Sequence, residues 1–283
     1  MTQAPVLVGI DLSPSAAEAI RQAGAWAKRA AAPLVVVHVA PDELFRALET
    51  PKVGDALRAR VESTLGPECP PFDVVLVAGS AHGALVRLAD ERKAALVVVG
   101  ASGAGSGLFG STAEQVVRYA HCPVLVARPS PKDGVVLAAT DFSEEATVAL
   151  KEGAREAARR GVPLRLVHSL QQPVTPLSLL GPVVISLPDM PEAEVDALKG
   201  AAETTLRTLL ESMGVPGACE VLTGPPTTTI PAEARGLAAA LVVVATRGRT
   251  GLARIALGSV AEAIARNAPC SVLAVRKSAR HPE

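Results

Sequence analysis

Short runs of aliphatic and β-branched residues alternate along the chain with longer stretches in which apolar positions recur at helical spacing. In the first half the runs are Val6 to Ile10, Leu34 to Val39, Val74 to Val77, Leu96 to Val99 and Val124 to Ala127; in the second they are Val135 to Ala139, Leu164 to His168, Cys219 to Leu222, Leu241 to Ala245 and Val272 to Val275. Runs such as "LVVV" lack polar alternation, which predicts strands covered on both faces. Strands separated by helices predict parallel pairing through right-handed crossovers. The expected fold is α/β: two doubly wound, five-stranded parallel-sheet domains in tandem, Rossmann-like, of strand order 3-2-1-4-5. In such a sheet ligands sit beyond the carboxyl ends of the strands where the order reverses, here between the first and fourth strands. Trp26 and Tyr119 read as core residues on helix faces.

The two halves repeat each other. Asp11, Ser13 and His38 match Asp141, Ser143 and His168 at an offset of 130, Gly79 and Gly103 match Gly224 and Gly248 at 145, and Gly110 and Cys122 match Gly258 and Cys270 at 148. The chain is a duplication whose second copy carries a longer segment, from Gln171 to Pro191, and whose first copy has a shorter glycine loop. That segment holds Leu177, Leu179, Leu180, Val183, Val184, Ile185 and Leu187 among prolines, and reads as a lid, a contact surface or an extended start to the next helix. "RPSPKDG", Arg128 to Gly134, reads as the linker between domains 1–130 and 131–283.

Composition narrows what the crevices can hold. The 283 residues are 49% hydrophobic, enough for two cores. Lys plus Arg and Asp plus Glu number 28 each, so no overall basic field draws the chain to nucleic acid or an anionic membrane, and any anion site is local. No apolar run approaches the roughly 18 residues of a membrane span, and "MTQAPVLVGID" lacks the pattern of a secretory signal, which predicts a cytoplasmic protein. Four scattered cysteines without a CxxC pair indicate neither a disulfide framework nor a zinc site, and no metal site is expected.

The local anion site is legible in "ATRGRTGLARIALGSVAEAI", Ala245 to Ile264, between the fourth strand and the last helix of the second half. Its glycines, Gly248, Gly251 and Gly258, let backbone amides approach phosphate oxygens. The following helix start supplies further N–H groups, and Arg247, Arg249 and Arg254 supply charge. Ser259 and Glu262 have capping-box spacing, as do Ser111 and Glu114. Each residue also has a plainer reading: the arginines as solvated loop charges, Asp141 and Ser143 as an Asx turn or cap for a helix beginning at Glu144, and His168 as a strand-end residue satisfied by a neighbouring backbone group.

The order strand, "DxS", helix, strand ending in His, Gly-x2-Gly-x9-Gly-Ser after the fourth strand and then "CPVLV" resembles the universal stress protein family in its tandem form, over about residues 4–128 and 133–277. The resemblance implies an ATP site, with Mg²⁺ a common companion of the phosphates. In the second half it implies Ala139, Thr140, Asp141 and Ser143 after the first strand, His168 and Ser169 at the end of the second, and Ala245, Arg247, Gly248, Arg249, Gly251, Gly258, Ser259 and Val260 around the phosphates. Ala245 departs from the pattern, which has glycine there. The first half implies a weaker site of Asp11, Ser13, Val39, Gly100, Gly103, Gly110 and Ser111, because only six residues separate Gly103 from Gly110 and no Arg or Lys lies from Gly100 to Gln115. No Walker lysine, nucleophile elbow or acid–base set is present, so the leading expectation is a nucleotide-binding sensor module of the stress response, with a nucleotide-free scaffold or a slow ATPase as alternatives. Family analogy also implies that the valine-rich fifth strands of the two halves meet as an intramolecular pseudo-dimer; such edges equally suit a homodimer.

Overall fold

The computed structural model describes residues 3–11, 13, 16–47, 50–101, 109–171, 191–247 and 257–277. The first half runs β1 (Val6–Ile10), α1 (Ala16–Ala30), β2 (Leu34–Ala40), α2 (Asp42–Ala47), α3 (Thr50–Leu65), a 3₁₀ turn (Gly66–Glu68), β3 (Phe72–Ala78), α4 (Ala81–Glu91), β4 (Leu96–Gly100), α5 (Ser111–Tyr119) and β5 (Val124–Ala127). The second runs β6 (Val136–Thr140), α6 (Glu144–Arg160), β7 (Leu164–Leu170), α7 (Glu192–Met213), β8 (Gly217–Thr223), α8 (Pro226–Gly236), β9 (Leu241–Ala245), α9 (Ser259–Asn267) and β10 (Ser271–Val275). All ten strands lie where the apolar runs place them. Pairing to β2 and β7 lengthens β3 and β8 at both ends with residues outside those runs. The crossover from β2 to β3 holds two helices, α2 and α3.

The strands form one sheet in the order β3-β2-β1-β4-β5-β10-β9-β6-β7-β8, so each half has the expected 3-2-1-4-5 order. Pairing is parallel within each half, whereas β5 meets β10 antiparallel, with Val272 opposite Val126, Leu273 opposite Leu125 and Ala274 opposite Val124. The expected joining of the fifth strands is thus present within the single chain. Strand side chains alternate between two cores. One, under α1, α3, α6 and α7, gathers Ile20, Trp26, Leu57, Leu150 and Leu206. The other, under α4, α5, α8 and α9, gathers Leu85, Val116, Ile230 and Ile264.

Reciprocal contacts cross the joint. Arg118 of α5 lies 3.0 Å from Glu114 and 3.5 Å from Glu262 of α9, while Arg266 lies 3.1 Å from Glu262 and 3.6 Å from Glu114. Beyond the strand ends, Arg128 donates to the Ala265 carbonyl at 2.5 Å and Arg276 to the Arg118 carbonyl at 2.6 Å. Each arginine thereby caps the last turn of the other half's helix, where free carbonyls and the helix dipole favour a cation. On the opposite face the Arg159 guanidinium sits 5.1 Å from the Trp26 ring centre. Trp26 is a core residue as expected; Tyr119 is not. The buried stripe of α5 is Ala113, Val116 and Val117, which leaves Tyr119 on the flank, 38% exposed and beside His82.

Helix α6 shows how local chemistry sets the ends. Ser143 is its N-cap and accepts from the Ala146 amide at 3.1 Å, Glu144 and Glu145 occupy the first turn, Arg159 and Arg160 the last, and Gly161 closes it with φ of 67°. Gly134, at the end of the linker, serves close packing: a Cβ there would come within 2.3 Å of the Ala238 carbonyl and 2.7 Å of the Ala240 amide. Burial pushes the Cys270 thiol up to about 11, and burial with the Asp90 carboxylate pushes Cys122 up to about 12.

Three outcomes are expected. Gly134→Ala forces β6 away from the α8–β9 turn and lowers unfolding free energy by about 1–3 kcal/mol in urea titration. Ser143→Ala removes a cap and costs about 1 kcal/mol by the same measurement. Because both thiols titrate higher folded than unfolded, their contribution is complete below pH 9.0 and is lost as pH rises through about 11 and 12; melting temperature followed from pH 8 upward falls less steeply in a Cys122→Ala, Cys270→Ala double variant.

Candidate functional site

In the second half, the carboxyl ends of β6 and β9 define the crevice where strand order reverses. On the β6 side the turn is knitted locally. Thr140 Oγ1 accepts from the Phe142 amide at 2.9 Å and Asp141 Oδ1 from the Ser143 amide at 3.0 Å, after which Ser143 caps α6. The Asx-turn and cap readings of Asp141 and Ser143 are therefore realised, and they hold the half-buried Asp141 carboxylate at the strand end. Phe142 sits at φ of 63°, a left-handed conformation that costs about 1 kcal/mol, and its ring centre lies 4.3 Å from that of His168.

His168 donates from Nδ1 to the Thr140 carbonyl at 2.8 Å, and His38 does the same to Ile10 at 3.0 Å. Both histidines tie the second strand of a half to the first, as the plain reading of His168 expected. Ser169 donates to the Gly224 carbonyl at 2.6 Å and lies 2.9 Å from the Thr229 hydroxyl, so the β8–α8 turn engages its side chain. Ala139 is buried at the end of β6, beneath this rim.

On the β9 side, the Thr246 amide donates to Val275 and the Gly258 amide to Thr246, each at 2.8 Å. Gly258 has φ of −66°, within reach of any residue, and packs closely: a Cβ there would lie 3.3 Å from the Thr246 carbonyl, a tight contact. Ala245 stays at negative φ, so the departure from glycine there strains nothing in the backbone.

The predicted capping boxes do not form. Gly258 and Gly110 occupy the N-cap positions of α9 and α5, neither helix has a side-chain cap bond, and Ser259 and Ser111 are exposed first residues. Glu262 and Glu114 turn instead to Arg118 and Arg266. Tertiary packing shifts the register: the Gly258 and Gly110 amides bond back to Thr246 and Ala101, which makes the glycine the cap. Among the described residues the first amides of α9 have no side-chain cap, which leaves them free for an anion, with Val260 exposed beside them. Lys277, past β10, lies 2.6 Å from Glu144 and holds that exposed carboxyl below its ordinary range.

Gly248, Arg249, Gly251 and Arg254 lie outside the described residues, as do Gly103 and the aliphatic segment around Leu177 to Leu187. Among described residues of the first half, Asp11 Oδ1 accepts from the Ser13 amide at 3.1 Å and from its hydroxyl, and Val39 and Gly100 stand half-buried at the strand ends. Arg60 of α3 donates to the Ser13 carbonyl. This cation at the turn after β1 has no signal in the glycine loop, because the α3 fold-back alone delivers it. Sequence reasoning also missed Thr246, Arg276 and Lys277, three polar groups at the ends of β9 and β10. A groove of about 540 Å³ along α4, lined by His82, Val86, Arg87, Asp90 and Tyr119, contains none of the predicted site residues. Among the described residues no helix is long and apolar enough to cross a membrane, and no three His, Cys, Asp or Glu are grouped to hold a metal ion.

A sequence model of the Universal stress protein family matches residues 4–128 and again 134–276. Universal stress protein Rv2623 of Mycobacterium tuberculosis is 29% identical over 300 residues, spanning 96% of each chain, and a universal stress protein of Mycolicibacterium smegmatis is 29% identical over 305 residues, spanning 97% of this chain and 98% of its own. The fold is shared with a universal stress protein of Archaeoglobus fulgidus, at a TM-score of 0.72 and 17% identity over 99% of this chain and 98% of that one. With the family's unit matched in both halves and the same doubly wound order in each, the chain belongs to the Universal stress protein family.

Proposed function

We propose that the chain is an ATP-binding sensor module of the stress response whose better site is the β6–β9 crevice of the second half. The observation that carries this reading is the start of α9, where Gly258 brings the chain against Thr246 and leaves the first helical amides without a side-chain cap, opposite the Asp141 turn. Such a cradle suits phosphate oxygens. In this reading the Ser259 and Val260 amides, with Arg247 and the loop residues Gly248, Arg249 and Gly251, meet the phosphates; Asp141 accepts from the ribose hydroxyls, and His168 and Ser169 border the base. Mg²⁺ shares the phosphate charge. The first half, with its shorter loop, binds more weakly. The two domains divide at the Arg128–Gly134 linker, and the protein works in the cytoplasm through nucleotide and protein contacts, without nucleic acid or membrane.

Calorimetric titration of ATP·Mg into nucleotide-stripped protein tests this. One site is expected, weakened at least tenfold in Asp141→Ala and in Gly248→Val. Failure of the parent protein to bind overturns the reading, and equal occupancy of two sites overturns the ranking of the halves.

A further inference from the structure

We propose that Thr246 and Arg276 form a phosphate subsite at the ends of β9 and β10, complete only in the second half. It deepens the nucleotide reading, on which it rests for the identity of the phosphate as the outer part of a polyphosphate chain. The register places the two residues together. Val275 pairs with Ala245 and the Thr246 amide donates to the Val275 carbonyl, so Thr246 and Arg276 are the next neighbours on adjoining strands. Val244 and Ala274, two positions earlier, belong to the core under α5 and α9, and alternation directs Thr246 and Arg276 to that same face.

Both carry a buried polar atom with nothing to bind. Thr246 is 3% exposed and its hydroxyl has no partner among the described residues. Arg276 uses Nη2 on the Arg118 carbonyl, but its Nε is buried without a partner and the guanidinium forms no ion pair among the described residues. Buried donors left unsatisfied are costly, more so when charged, and two of them side by side at a crevice rim suit a bound oxyanion. The charge fits as well: burial and then the Arg247 charge lower the Arg276 pKa, so two guanidinium groups are held near one another. An oxyanion that accepts from Nε and from the hydroxyl relieves both the repulsion and the desolvation. The Gly258 amide bonds to Thr246 itself, so this pair borders the start of α9, where an inner phosphate sits.

The duplication supplies an internal control. Arg128 matches Arg276 at an offset of 148 and caps a helix of the opposite half in the same way, so the capping role alone explains an arginine at that position in both copies. At an offset of 145, however, Thr246 and Arg247 match Ala101 and Ser102. The hydroxyl and the second guanidinium belong to the second half only.

The test is calorimetry on the full chain with three probes, adenosine, ATP·Mg and inorganic pyrophosphate, comparing the parent with Thr246→Val and Arg276→Lys. Thr246→Val keeps size and β-branching and removes an unsatisfied hydroxyl, so its melting temperature without ligand is expected at or above the parent's. ATP is expected to bind about tenfold more weakly to each variant while adenosine binds unchanged. Equal losses for adenosine and ATP, or ATP affinity unchanged in both variants, overturn the subsite. Should Thr246→Val melt well below the parent, Arg276→Lys decides on the same readout. If the parent binds neither adenosine nor ATP, the nucleotide reading fails and pyrophosphate decides the subsite: binding by the parent that weakens about tenfold in the variants supports it, and no binding overturns it.

Discussion

The antiparallel pairing of β5 with β10 is the contact on which the rest of the molecule depends. Within each half all strands run one way, so an antiparallel joint sets the carboxyl ends of the first half at the opposite end of the sheet from those of the second. The two crevices therefore open in opposite directions. The same joint brings the end of each fifth strand against the last turn of the other half's final helix, which is why Arg128 reaches α9 and Arg276 reaches α5. It also hides the valine-rich edges that an isolated half would expose. The ion pairs among Glu114, Arg118, Glu262 and Arg266 are half-exposed and individually weak, but they register the two helices reciprocally across the joint.

Duplication has not kept the halves equivalent. Trp26 and Glu156 occupy matching places at an offset of 130, yet one is an aromatic ring beneath Arg159 and the other a carboxylate, 1% exposed, held by Arg159 at 2.9 Å and Arg160 at 3.1 Å. A buried carboxylate is tolerable because two guanidinium groups satisfy it. The strand ends show a similar division of labour. The first half receives Arg60 from a distant helix, whereas the second gathers Arg247, Arg276 and Lys277 from its own last strands.

Much of this was legible in order of residues. Apolar runs marked the ten strands among the described residues, and inner strands such as β4 and β9 show no polar alternation because both of their faces are buried. The family resemblance marked the joint of the fifth strands, and His168 was correctly read as a strand-end residue tied to the backbone. The turn at Asp141 and the cap at Ser143 were also legible, because such bonds close over two or three residues.

The failures share a cause. Ser259 and Glu262 have the spacing of a capping box, and nothing local forbids it; the chain caps with Gly258 because Thr246 lies within reach of its amide once β9 and α9 have packed. Tyr119 has core character, but the orientation of α5 on the sheet turns it outward. Sequence by itself determined the strands and their doubly wound arrangement, which follow from apolar periodicity, the repeat, which follows from residues matched at fixed offsets, and the family, which follows from its motifs. Tertiary structure alone decided which atoms meet at the rim: Lys277 with Glu144, Arg60 with Ser13, and Thr246 beside Arg276. Those meetings depend on strand register and crossover paths, which bring together residues that no local pattern relates.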